Sequence, residues 1–451
     1  MRIPITFSLL GLVGACASSP DDGALAADDT EVCQTVNDQS MIETSSAIVT
    51  EGRFNLKKVF EQIRTTTPSG VTPPASPTAM FQALYNSFAD CSSGPGHDPN
   101  DYGMSCRAPE ASFGALDPFA PGSALHYKPV ALVNRFDLAP GDFSTCGESR
   151  IVFWKESGPL GRAAIIVEMR TPPVVTNGVK SCVPVANFWA SLSNISDPTT
   201  RANKLEAFFF SGLKGMPFPP VSALGVGYGG KGQVRLNSFV SDAQWNLREF
   251  KWQKSCDPTG TTCSAQFTPV TVKNNPSQLL FAGTHKKSPG FQSWFVATAT
   301  PALAAATDPN ALALGNADEY NTFESVSQPE PGDPTSVLYD QFASAALRTS
   351  VQNELTAIGS KLTPDNIFAR ATTQTCGGCH EVSNLANLGG GVVWPPSLGF
   401  VQIDENANLS QALSGTFIPH RITVLENFLC GGGGSGSADQ TIGGGAADAA
   451  N

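Results

Sequence analysis

Apolar and polar positions alternate in WNLREFKW, and four other stretches in the middle of the chain are strongly apolar. The segments 129–136 (PVALVNRF), 149–154 (SRIVFW), 163–169 (AAIIVEM), 232–240 (GQVRLNSFV) and 245–252 (WNLREFKW) are rich in β-branched and aromatic residues. Those residue types, with period-two alternation in WNLREFKW, make these segments expected strands. Elsewhere the period lengthens. Val59, Phe60 and Ile63 in NLKKVFEQIR share one face of a helix, and so do Met80, Phe81, Leu84 and Phe88. Two further helices are expected at ANFWASLSNI and RANKLEAFFFSGL. Beyond residue 330 the pattern turns helical. Asp333-Pro334 opens a helix through Leu338, Phe342, Ala346, Val351, Leu355 and Ile358, and Thr363-Pro364-Asp365 opens NIFARATTQ. A last helix is expected in GTFIPHRITVLENFLC. Strands and helices in separate runs predict an α+β fold with an antiparallel sheet in the central region and a helical C-terminal unit.

Composition narrows the picture. The 451 residues include 43 Gly, 34 Pro and 11 Cys, and 15% are charged. That excludes a coiled coil, a charge-rich disordered chain and a collagen repeat. The 28 Lys and Arg against 39 Asp and Glu give a net charge of −11, which argues against nucleic acid as a partner. Eleven cysteines point to an oxidising compartment. Arg2 is the only charge before Asp21, and the apolar stretch 5–13 is too short to cross a bilayer but has the size of a signal peptide core. Val13-Gly14-Ala15-Cys16 resembles the lipobox of bacterial lipoproteins. The resemblance implies cleavage before Cys16, a lipid on its sulfur and, with Ala17 next, sorting to the outer membrane or cell surface. Its partner would be the membrane, through that anchor. An ordinary secretory peptide that removes Cys16 is the alternative. The expected organisation is a signal peptide (1–15), an acidic tether (16–40), a helical and loop region (41–115), an α+β domain (116–320), a helical module (333–430) and a Gly-rich tail (431–451).

Without Cys16 ten cysteines remain, an even number. Cys91 with Cys106, Cys256 with Cys263, and Cys146 with Cys182 are the expected staples. The segment 376–380 reads Cys376-Gly377-Gly378-Cys379-His380, a CxxCH. This is the attachment signature of haem c: two thiols add to the two vinyl groups, and the adjacent imidazole reaches the iron. Residues 333–430 resemble the cytochrome c family in this motif and in the helix before it. The resemblance implies haem c attached at Cys376 and Cys379, with His380 as the proximal ligand. Thr372 stands where the family has Phe or Tyr, and all six methionines precede Cys376, so the family's methionine ligand is missing. His420 is the downstream imidazole and the candidate sixth ligand. An open sixth position would permit peroxidase-like chemistry. The function implied is electron transfer or redox sensing with an unidentified redox partner. The alternatives are a Cys376–Cys379 disulfide in a non-haem structural or binding lipoprotein, a zinc site completed by His420 or Cys430, and thiol redox catalysis.

Weaker signals are expected to be structural. The G-x-G-x-x-G at 225–230 precedes a strand rather than a helix, so it reads as a loop. Asp98, Asn100 and Asp101 start a calcium-like loop that lacks its closing Glu, with Pro109 at that place. His126 and His285 read as surface or satisfied core residues. Arg135, Asp137, Glu148, Arg150 and Glu168 are expected on a solvated sheet face, with a cleft lining as the alternative.

Overall fold

The computed structural model describes residues 25, 33–89, 102–156, 160–240, 244–326 and 335–431. The signal peptide, Cys16, most of the tether, Cys91, the calcium-like residues 98–101, Asp333-Pro334 and the tail beyond Gly431 lie outside them. Ten strands are described: β1 (Ile42–Glu43), β2 (Tyr127–Arg135), β3 (Glu148–Lys155), β4 (Arg162–Arg170), β5 (Val174–Thr176), β6 (Val179–Ser181), β7 (Gln233–Phe239), β8 (Asn246–Cys256), β9 (Cys263–Val270) and β10 (Ser325–Val326). Eight form one antiparallel sheet in the order β1-β2-β3-β4-β7-β8-β10, with β9 also on β8. The hairpin β5–β6 stands apart. With its helices this is the α+β class, and all five expected strands are present. β9 was not expected, although Cys263, Ala265 and Phe267 alternate inward there against exposed Ser264 and Gln266.

Register assigns the two faces. Ile151 pairs with Val167, Val167 with Val234 and Val234 with Phe250, so one face is apolar across four strands. Helices α1 (Leu56–Thr65) and α2 (Pro77–Asn86) cover it. Asn55 caps α1 by accepting from the Lys58 amide, and Leu56, Val59, Phe60 and Ile63 are its buried side. Phe60 meets Phe267, which packs edge-on to Trp252, while Phe81 meets Tyr127. Each such side chain contributes about 1.5–3 kcal/mol on burial. Behind them α3 (Val183–Leu192) and α4 (Pro198–Ser211) stack Phe188 on Phe208.

The opposite face carries Val152, Ile166, Arg235 and Glu249 in register. The C-terminal third lies over it. The single helix expected from Asp333-Pro334 is broken: a short turn at Tyr339–Phe342 ends at Ala343, which is extended, and the Ser344 hydroxyl restarts α5 (Ala345–Ala357) by accepting from the Leu347 amide. Next come α6 (Pro364–Thr373), with a reciprocal Thr363–Asn366 capping box, and finally α7 (Ile418–Cys430). Cys146–Cys182 and Cys256–Cys263 are bonded as expected. Cys106 is also disulfide-bonded, and Cys91, its expected partner, lies outside the described residues. The unexpected bond is Cys33–Cys430, across 397 positions, which joins the two ends of the described chain. No helix among the described residues is long and apolar enough to cross a membrane.

Candidate functional site

Helix α6 runs into the CxxCH. The Thr375 hydroxyl bonds back to the Thr372 carbonyl and accepts from the Gly378 amide, while the Cys379 amide returns to the Thr375 carbonyl, so the motif continues as a tight wide turn over Gly378–Val382. The two glycines between the cysteines are required by packing. A Cβ on Gly378 would run into the Thr372 carbonyl oxygen, and one on Gly377 would sit 2.6 Å from the Val326 carbonyl of β10. The Gly377 amide also donates to Ser325 Oγ at 3.0 Å, which seats the turn on that edge strand.

Cys376 and Cys379 carry free thiols, so the disulfide alternative is not formed in the structure. Both are buried, at 3% and 0% exposure. Cys376 packs with Leu247 and Val272. Burial pushes its thiol far up, with Arg235 pulling down and Glu249 pushing up. Burial likewise pushes Cys379 up to about 12, against a hydrogen bond from Gln402, whose Nε2 lies 3.6 Å from the sulfur. Thiols held neutral in this way are poor nucleophiles, which disfavours thiol redox catalysis.

His380, 2% exposed, is oriented by the backbone. Its Nδ1 lies 2.8 Å from the Phe400 carbonyl, which can only accept, so Nδ1 carries a hydrogen and the backbone fixes the ring's orientation. Phe400 has φ 69°, a left-handed conformation that costs a bulky residue on the order of 1–3 kcal/mol. Glu381 accepts from its amide at 3.3 Å, and its ring stacks with Phe239 and Trp245. The imidazole lines a cavity of about 20 Å³ walled by Val152, Trp154, Ile166, Asn237, Trp245 and Val401. Trp154 donates to the Ile403 carbonyl at 2.9 Å, so the segment after the motif is fastened to the sheet.

The donors match a haem attachment site in kind: two reduced thiols and an imidazole whose Nδ1 is held by a carbonyl. They do not match it in volume. A space of about 20 Å³ admits a water and no macrocycle, so the packing described has no room for haem beside His380. His420 is not brought to this cavity. It sits half-buried in the first turn of α7, and the neighbouring Arg421 is the residue turned inward. The zinc alternative loses Cys430 to its disulfide, and no group of three metal-ligating side chains occurs among the described residues.

The strand charges expected on a solvated face are buried instead. Arg150 bonds Glu168 at 3.0 Å and Glu148 at 2.8 Å. Arg235 bridges Glu168 at 3.3 Å and Glu249 at 3.1 Å, while Arg135 pairs with Asp137 at 2.9 Å. Only Glu148 is more than marginally accessible. The C-terminal segment covers part of this face, with Arg421 3.9 Å from Asp137, Cys376 against Leu247 and the Ile403 carbonyl on Trp154. Burial raises the Asp137 carboxyl, but Arg135 and Arg421 outweigh it and hold the group below its ordinary value. Burial pushes Glu249 up to about 7, with Arg235 opposing and Glu168 adding to the rise. Arg421, fully buried and 3.9 Å from Asp137, has no hydrogen-bond partner for any of its three nitrogens. Asp137, Glu148, Arg235 and Glu249 reach a second, much larger space, a polar cleft of about 840 Å³. The glycine-rich 225–230 segment forms a loop into β7, as expected, and ends at the rim of this cleft.

Neither Arg421, Gln402 nor the cleft lysines stood out in the sequence. A faint signal exists for Arg421: it lies four residues before Leu425 on the apolar stripe of α7. No protein-family model, curated protein or solved structure matches the chain.

Proposed function

We propose that the chain is an exported lipoprotein, anchored through Cys16, that carries one c-type haem on Cys376 and Cys379 with His380 as proximal ligand and serves electron transfer or redox sensing. The observation that carries this reading is the pairing of the motif with its surroundings. Among the described cysteines, the two left as thiols while the others are disulfide-bonded stand in one turn with an imidazole whose Nδ1 proton is fixed by the Phe400 carbonyl. When bound, such a group supplies a one-electron couple. The chain's own part is to hold the imidazole in one orientation, through Phe400 and Glu381, and to keep water from its apolar surroundings. Because the cavity at His380 is only about 20 Å³, the reading requires the 383–403 segment to stand farther from the sheet in the loaded protein. The test is expression with cytochrome c maturation machinery and a reduced pyridine haemochrome spectrum. A covalent α-band is expected, and its absence overturns the reading. His420→Ala then decides the sixth ligand: conversion from low to high spin assigns His420, and an unchanged spectrum removes it.

A second reading, a cell-surface binding lipoprotein without haem, is favoured by the contrast in space. The cavity at the motif is of water size, whereas the cleft on the same sheet face has the volume of a small-molecule site. Under this reading the thiols are packing residues and the haemochrome band is absent.

A further inference from the structure

The cleft has its own chemistry, independent of what happens at the thiols. Its floor is the charged sheet face, where Gln233, Arg235, Glu249 and Lys251 point up from β7 and β8. Arg170 and Lys231 stand on one wall, and the 315–318 loop forms another. It gathers five of the chain's 28 Lys and Arg residues, in a protein whose net charge is −11.

The two signs are not equally available. Of the four carboxylates that line the cleft, Asp137 is bound to Arg135, Glu148 to Arg150 and Glu249 to Arg235, Asp318 stands on the 315–318 loop, and beyond the lining Asp142 is near enough to Lys231 to feel its charge. Among the described residues no carboxylate lies within ion-pair distance of Arg170, Lys231 or Lys251. Arg170 is held in place without one. Its guanidinium lies over the Phe218 ring at 4.9 Å and donates to the Leu224 carbonyl at 3.3 Å, and its buried Nε has no hydrogen-bond partner. A guanidinium with no carboxylate at ion-pair distance, in a concave site that two lysines also line, is an arrangement that recognises an anion. The Gln253 amide offers hydrogen bonds alongside, while the Gln233 amide already donates to Glu168 at 2.8 Å and that of Asn316 to Asn321 at 2.7 Å, and Leu138, Pro140 and Phe323 give apolar contact.

We infer that this cleft binds a small organic acid, its anionic group held by Arg170, Lys231 and Lys251 and its hydroxyl or further acid groups by the Gln253 amide. This goes beyond the haem proposal and does not depend on it, although it gives the second reading a ligand class. The shared chemistry is an anion of small-molecule size, and the probes separate its sources: citrate for a polycarboxylate, glucuronate for a sugar acid, and inorganic phosphate.

The experiment is titration calorimetry of the full mature chain at low ionic strength with each probe, with glucose as the neutral counterpart of glucuronate. Saturable one-to-one binding of at least one anion is expected. The double variant Lys231→Glu, Lys251→Glu should weaken it about tenfold or more, which is at least 1.4 kcal/mol. Both lysines are accessible, and an unchanged thermal melt shows that the variant is folded. Three results would overturn the inference: no saturable heat for any probe at millimolar concentration, equal affinity in the folded double variant, or glucose bound as tightly as glucuronate. The haemochrome spectrum is a separate readout, so either result can fail without the other.

Discussion

The two faces of the sheet are made by the same strands and do different work. On one, Ile151, Phe153, Ile165, Val167, Leu236 and Phe250 meet the apolar sides of α1 and α2, and stability there scales with area removed from water. On the other, Arg135, Arg150, Glu168, Arg235 and Glu249 are just as buried, although Arg235 and Glu249 also line the polar cleft. Each of those charges loses several kcal/mol of hydration and regains it only through a well-placed partner. The apolar face explains why the chain folds, and the charged face is where a site can be built, because it holds groups whose protonation and pairing can change.

The largest effect that would break this contrast is on the charged side. Glu168→Ala removes the carboxylate shared by Arg150 and Arg235 and is expected to cost about 3–5 kcal/mol in denaturant unfolding. A loss within the range of a surface substitution would mean that water reaches this face. Next comes Leu236→Ala on the apolar face, expected to cost about 2–5 kcal/mol through lost burial and a cavity, by the same amount at pH 5 and pH 8. A pH-dependent loss would show that the two faces are coupled.

Smaller, but of distinctive sign, is the contribution of Glu249. Its carboxyl is raised from 4.5 to about 7, so between those values the folded chain binds the proton and the unfolded chain does not. Stability therefore falls as pH rises through this window, by on the order of 1–3 kcal/mol. The groups facing it are Arg235, Glu168, Lys273 and Cys376. Glu249→Gln should flatten the pH profile there, and a profile still falling would assign the titration to another group. Asp137 acts oppositely and elsewhere, since its stabilisation is lost as pH drops below 3.8 through its lowered value. The smallest effect is expected for Arg421→Met, less than about 1 kcal/mol, because the guanidinium has no hydrogen bonds and Asp137 keeps Arg135. A much larger loss would show that Arg421 holds a partner that Asp137 alone does not reveal.

What could be read from the sequence follows the same division. The apolar face was legible because the apolar run in AAIIVEM and the alternation in WNLREFKW are local properties of a strand, and the α1 and α6 boundaries were legible because caps and prolines act within one turn. The charged face was not. Arg150 and Glu168 look like solvated positions until a segment more than 200 residues later covers them, and nothing in the local pattern announces that cover. The CxxCH was evident as a motif, yet its burial and the hold of Phe400 on His380 depend on long-range packing. The place of His420 outside the small cavity has the same origin: helical phase turns Arg421, one residue on, inward.

The bond between Cys33 and Cys430 has a consequence in time. It closes the chain into a loop of nearly its whole described length, with α7 clamped beside the start of the fold. Gly377 is fastened to β10, the Ile403 carbonyl to Trp154, and the far end to Cys33, so the segment bearing the two thiols is held at each point along its course. Any enzyme or cofactor that acts on Cys376 and Cys379 must therefore reach them during biogenesis, before the final oxidation locks the ends together. A chain oxidised too early would be sealed against modification, and the sequence of those two reactions becomes part of how the protein is made.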